Sequence, residues 1–179
     1  MTLFDRVISV VLRSEGGYQC DPDDIGNWTR EGCLKGTRYG IAARYFPLLD
    51  IKNLSEQDAK EIYYKHFWKP MNLEGINDEN LVLHVFDHGV NAGKRTSIRM
   101  LQRIIEVKVD GICGPKTTTV ANTLVLRQKV IHGYGLLRSL TDYFIYERKR
   151  YYADLTMRRP VTKKYLHGWY NRVNRCKLD

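Results

Sequence analysis

The chain has 179 residues and a formal net charge of +9, with 43% hydrophobic and 27% charged residues. That balance excludes wholesale disorder, and the length suits one compact domain or one with a small appendage. The longest apolar stretch, Val7-Ile8-Ser9-Val10-Val11-Leu12, falls far short of the ~20 residues of a bilayer-spanning helix, which excludes a transmembrane segment of that kind.

Phe4, Val7, Ile8, Val11 and Leu12 recur at i, i+3, i+4, i+7 and i+8 and predict an opening amphipathic helix. Gly16-Gly17 is expected to close it in the left-handed conformation. The stretch begins too near Met1, after Asp5 and without a small-residue cleavage site, to read as a signal peptide. Residues 18–40 are rich in turn formers (Asp21-Pro22-Asp23-Asp24, Gly26-Asn27, Gly32, Gly36) and predict a long loop with a short ribbon near Leu34 to Ile41. Loops this long inside a small domain are usually functional.

Ser55 with Asp58 reads as a capping box for a helix whose inner face is Ala59, Ile62, Tyr63 and Phe67. Leu81, Val82, Val85, Phe86, Gly89 and Val90 predict another helix, and Ile98, Leu101 and Ile105 a third. Asp110-Gly111 and Gly114-Pro115 mark a tight loop, with Pro115 in the first turn of a helix carrying Val120, Ala121 and Leu124. One long helix is expected from about Leu126 to Thr156, then a break at Pro160 and a short helix from Tyr165 to Val173.

Lys and Arg number 29 against 20 Asp and Glu, an excess that attracts anionic partners. Arg148-Lys149-Arg150, Arg158-Arg159 and Lys163-Lys164 concentrate it in the C-terminal third, with Tyr143, Tyr146, Tyr151 and Tyr152 expected as packing residues. No nucleic-acid-binding motif accompanies the charge, so no nucleic-acid partner is expected. The four cysteines (Cys20, Cys33, Cys113, Cys176) are scattered, which argues against a zinc ribbon and suits idle thiols or one Cys20–Cys33 bridge. His84 and His88 stand one helical turn apart, but Asp87 replaces the glutamate of a zinc-protease helix and no third ligand is signalled; no metal is expected.

Glu15 prolongs the apolar face of the first helix, at an end where the macrodipole disfavours a carboxylate. Partial burial and the dipole both favour a protonated carboxyl, as a general acid requires. Asp24, in a polar turn, is suited to remain ionised. Two carboxyls in contrasting environments are the pattern of glycosidic-bond hydrolysis, with a loop hydroxyl, Thr29 or Thr37, to hold water. The same residues also fit a helix-end glutamate facing solvent and an Asp-rich turn bonding its own backbone.

Ser14-Glu15-Gly16-Gly17-Tyr18, Asp21-Pro22-Asp23-Asp24 and Gly36-Thr37-Arg38-Tyr39-Gly40-Ile41 resemble the opening of the glycoside hydrolase family 108 muramidases, lysozyme-like enzymes that are often phage endolysins. Leu54-Ser55-Glu56-Gln57-Asp58-Ala59 with Ile62-Tyr63 and Phe67-Trp68, and Val85-Phe86-Asp87 with Val90-Asn91-Ala92-Gly93 and Leu101-Gln102, resemble its later helical blocks. Val109 to Thr117 resembles the start of a peptidoglycan-binding-like segment, and Gly168-Trp169-Tyr170-Asn171-Arg172 extends the likeness more weakly. The resemblance implies that Glu15 is the catalytic acid. Phage-type lysozymes share a Glu, eight residues, Asp, then Thr pattern; Glu15 and Asp24 fit its first spacing, and Thr37, which precedes Gly40-Ile41, is preferred as the threonine, with Trp28 to Lys35 resembling an insertion before it. Tyr18, Trp28 and Tyr39, with Trp68 nearby, are candidate sugar-stacking aromatics, and Asp87 and Asn91 candidate wall residues on the substrate side.

The expected fold is mainly α (α+β, lysozyme-like), a helical bundle with a long active-site loop or small β-ribbon near residues 18–42. Residues 1–92 are expected to form the catalytic region and 93–179 a helical region packed with it as one monomeric unit. The expected activity is hydrolysis, without a cofactor, of the β-1,4 bond between N-acetylmuramic acid and N-acetylglucosamine. A lytic transglycosylase or a non-catalytic wall-binding protein is the alternative. Bacterial peptidoglycan is the expected partner, with anionic wall or outer-membrane polymers as further ones. Synthesis in the host cytoplasm and action in the periplasm or cell wall follow.

Overall fold

The computed structural model describes residues 1–131 and 139–178. Helix α1 (Leu3–Ser14) starts from a reciprocal cap in which the Thr2 hydroxyl accepts from the Asp5 N–H while Asp5 accepts from the Thr2 N–H. It buries Val7, Ile8, Val10 and Val11, with Phe4 and Leu12 at the core margin. Its end differs from the left-handed glycine closure expected. Glu15 itself turns extended (φ −95°, ψ 102°) while its N–H still bonds the Leu12 carbonyl, and neither Gly16 nor Gly17 takes a positive φ. The helix is therefore broken at the acidic residue, which lifts its side chain off the helical face.

The following loop contains a 3-10 turn (Ile25–Asn27) and a two-stranded antiparallel ribbon, β1 (Thr37–Arg38) and β2 (Ile41–Ala42), with Thr37 opposite Ala42 and Arg38 opposite Ile41. Tyr39 and Gly40 form its two-residue turn with φ of 50° and 71°, the positive pair that matches strand twist in tight hairpins. Ser55 and Asp58 cap α2 (Glu56–Tyr63), which runs through a π-helical stretch (Tyr64–Trp68) into α3 (Lys69–Met71).

Helix α4 (Glu79–Ala92), capped by Asp78, is buried from Leu81 to Gly89 and forms the axis of the molecule. It packs against α1, α5 (Lys94–Ile104) and α7 (Leu140–Arg158). Pro115 begins α6 (Pro115–Ile131) as expected. The single long helix predicted from Leu126 to Thr156 is interrupted: α6 is described to Ile131, and Ser139 is extended and opens α7 under its own capping box with Asp142. The part of that prediction on 132–138 lies outside the described residues. A 3-10 turn (Pro160–Tyr165) leads into α8 (Leu166–Arg175).

One continuous apolar cluster reaches from Val7 of α1 to Cys176, just beyond the end of α8. Gln102 on α5 is buried and ties down the 110–117 loop: its amide donates to the Asp110 carboxylate (2.9 Å) and the Ile112 carbonyl (3.0 Å), and its carbonyl accepts from the Gly111 N–H (2.8 Å). All four cysteines are free thiols, so the Cys20–Cys33 bridge considered above is not formed. Among the described residues, no helix is long and apolar enough to cross a membrane.

Candidate active site

The break at Glu15 brings its carboxyl against the ribbon turn and the last helix. The Tyr39 N–H bonds the Gly16 carbonyl (3.2 Å), and the buried Tyr63 hydroxyl donates to the Tyr39 carbonyl (3.0 Å), fixing the turn over the end of α1. Burial pushes the Tyr63 phenol upward, so it remains a neutral donor. Gly40 is packed so closely that a β-carbon there would lie 2.6 Å from Glu15 Oε2.

Glu15 Oε1 accepts from Arg172 Nη1 of α8 at 2.7 Å, with side-chain exposures of 17% and 13%. The rest of that guanidinium grips Asp87 of α4: Nη2 reaches Oδ1 at 2.7 Å, and Nε reaches both oxygens at 2.9 and 3.1 Å. Asp87 Oδ2 also accepts from the fully buried Arg148 of α7. Two carboxyl groups and two guanidiniums thus form a four-membered chain. Burial works against the Asp87 charge, yet Arg148 and Arg172 override it and hold its carboxyl below the usual range. Burial likewise opposes the Arg172 charge, which Asp87 and Glu15 more than restore. Because desolvated ion pairs of this kind lose geometry only at high cost, Arg172 presents a fixed donor to Glu15. The apolar surroundings expected for Glu15 are replaced by this ion pair.

Beside it, Ser14 and Arg172 line a cavity of about 430 Å³ together with Val10, Asn171 and Arg175. On the loop side, buried Asn27 is a hub. Its amide donates to Gln19 Oε1 (2.7 Å) and the Asp21 carbonyl (2.9 Å), and its carbonyl accepts from Gln19 Nε2 (3.0 Å) and the Thr37 hydroxyl (2.7 Å). Asp24, exposed, accepts from the Gly26 N–H (2.9 Å) and from Gln19 Nε2 (3.1 Å). Asp24 and Thr37 therefore belong to one network through Gln19 and Asn27. Among the described residues no hydrogen bond joins either to Glu15.

Residues 8–93 match the family model of glycosyl hydrolase 108, and residues 96–174 match that of a predicted peptidoglycan domain. The first half of the chain is thus a glycosyl hydrolase 108 segment, and the second half a peptidoglycan-domain segment. The solved structure of Brucella abortus SagA is similar over 97% of this chain and 90% of that one, with a TM-score of 0.67 at 23% identity. That likeness concerns the fold, which is mainly α and lysozyme-like. No curated protein matches the sequence.

The two matched segments meet at the Glu15–Arg172–Asp87 chain: Glu15 and Asp87 come from the hydrolase segment, Arg172 and Arg148 from the peptidoglycan-domain segment. Among the aromatics, Tyr18 is 39% exposed and Tyr39 half-buried. Trp28 is half-buried, its indole N–H donating to the Pro22 carbonyl (2.8 Å). Trp68, expected nearby, is instead a core residue bonded to Glu74 (2.8 Å). The substrate-contact expectation for Asp87 is corrected: its side chain is 2% exposed and both oxygens are occupied, so it touches the site only through Arg172. Asn91 accepts from the Tyr152 hydroxyl (2.8 Å).

Of the two threonines, Thr29 is buried and caps its own turn by accepting from the Cys33 N–H (3.1 Å), leaving Thr37 as the one on the network. The expected insertion closes on itself, with the Thr29 N–H on the Cys33 carbonyl and the Lys35 N–H on the Asn27 carbonyl, so it does not displace Thr37 from Asn27. His84 and His88 are buried in neutral form; burial and the nearby Arg148 charge lower them to about 4 and about 3. Gln19, Asn27, Tyr63, Arg148 and Arg172 carry the geometry without having been assigned roles in it. Arg172 alone had a signal, since it ends the weakly family-like Gly168–Arg172 stretch.

Proposed function

We propose that this protein is an N-acetylmuramidase that cleaves the β-1,4 bond between N-acetylmuramic acid and N-acetylglucosamine in peptidoglycan and so lyses bacterial cells, as a phage endolysin does. The 1–92 region supplies the acid and the 93–179 region holds and orients it. The observation carrying this reading is the placement of Glu15, turned out of a helix end and tethered through Oε1 by Arg172, whose side chain and that of Ser14 line a neighbouring cavity. With Oε1 occupied, the proton for the glycosidic oxygen is carried on Oε2, beside Gly40. Asp24 and Thr37, coupled through Gln19 and Asn27, steady the developing positive charge and hold the attacking water. Tyr18, Trp28 and Tyr39 offer aromatic faces to the sugars, with Asn91 on the wall.

Glu15→Gln keeps the shape and the Arg172 contact but removes the transferable proton. It is expected to abolish lysis of chloroform-treated cells with an unchanged circular dichroism spectrum; retained lysis would overturn the assignment. Both Asp24 oxygens already accept hydrogen bonds, from the Gly26 N–H and Gln19 Nε2, which favours one further reading, a lytic transglycosylase working with a single glutamate. Mass spectrometry of released muropeptides separates the two, because hydrolysis adds water whereas transglycosylation leaves an anhydro ring.

A further inference from the structure

Helices α5 and α7 face one another across a groove of about 560 Å³ that no part of the Glu15 site uses. From α5 come Arg99 and Arg103, one turn apart; from α7 come Arg150 and Arg158, alternating along the helix with Glu147 and Asp154. This is the face of α7 beside the one that carries Arg148 toward Asp87.

The groups differ in how far they are already satisfied. Arg150 pairs with Glu147 at 2.9 Å. Arg103 and Arg158 are exposed and, like Asp154, have no ion pair among the described residues. Arg99 lines the groove with its Nε buried beside Gly111 and without a hydrogen-bond partner among the described residues. Tyr143, 49% exposed rather than packed as its helical spacing suggests, and Tyr151 add aromatic surface.

We propose that this groove binds a zwitterionic peptide bearing spaced carboxylates and an amine, the chemistry of the peptide stem on peptidoglycan glycan strands; the identification of the stem rests on the peptidoglycan reading above. The sign pattern selects that class. A uniform polyphosphate would meet Glu147 and Asp154 as repulsive groups, and repulsion is how charged sites reject the wrong ligand. A stem peptide places carboxylates on Arg99, Arg103 and Arg158 and its amine on Asp154, while Tyr143 and Tyr151 cover its aliphatic parts. The wall is then gripped by its peptide away from the point where its glycan is cut.

The test uses the full chain and a free synthetic stem tetrapeptide containing γ-linked glutamate and diaminopimelate, which has no glycosidic bond to cleave. Binding is followed by NMR titration against the wild type and an Arg103→Gln/Arg158→Gln double variant, both positions being exposed. The wild type is expected to bind and the double variant to bind about two- to thirtyfold more weakly, the scale of two lost exposed ion pairs. Activity of the double variant on peptide-free glycan is expected to be unchanged. Equal binding by both proteins, no binding by the wild type, or equal or tighter wild-type binding of polyphosphate would each overturn the proposal. Failure of the muramidase reading shows separately, as lysis retained by Glu15→Gln, and leaves the peptide titration to stand by itself.

Discussion

An alanine methyl at position 40 would sit 2.5 Å from the Tyr63 hydroxyl and 2.6 Å from Glu15 Oε2, on a backbone whose φ of 71° L-residues avoid. Gly40→Ala is therefore expected to cost only about 1–2 kcal/mol of stability, the scale of left-handed strain, but on the order of 100-fold in kcat, since it pushes the acid out of position. Thermal melts and kinetics on the same preparation check the split. Arg172→Gln removes the link between Glu15 and Asp87 and leaves Asp87 buried with Arg148 alone. It is expected to lose about 3 kcal/mol in denaturant unfolding and to lower kcat. Arg172→Lys, which keeps the charge but not the fork, is expected to recover stability before activity.

The elements were readable from the sequence wherever local chemistry set them: the Ser55–Asp58 box, Pro115 opening α6, the periodic faces of α1 and α5. They were misread where a local rule competed with a tertiary one. Gly16-Gly17 looks like a helix stop, but contacts with the ribbon turn stop the helix at Glu15 first. The helical pattern through Leu126 hid the break before Ser139, whose capping box with Asp142 starts α7. Gln102 shows the same dependence on partners distant along the chain, since a polar residue among Ile98, Leu101 and Ile105 gives no hint of three loop bonds. Gln102→Ala leaves the Gly111 N–H and other loop groups unsatisfied and is expected to cost about 3 kcal/mol in urea unfolding.

For the molecule as a whole, the buried histidines couple stability to acidity. His84 and His88 titrate at about 4 and about 3 when folded, against an ordinary 6.5. The unfolded chain therefore takes up protons that the native state refuses, and stability falls as pH drops below about 6.5. Between pH 7 and pH 5 the loss is expected to be on the order of 2–4 kcal/mol, measurable as a shift in urea midpoint, and His88→Gln is expected to flatten it. The catalytic candidate Glu15 was legible from its neighbours in the chain. The charges that orient it were not, because Arg172 and Arg148 reach Asp87 from helices formed far downstream.

That separation has a bearing on synthesis. Glu15 is made 157 residues before its guanidinium partner. A nascent chain therefore carries Glu15 without its tether until the last helix has been made, and the site is incomplete for that interval.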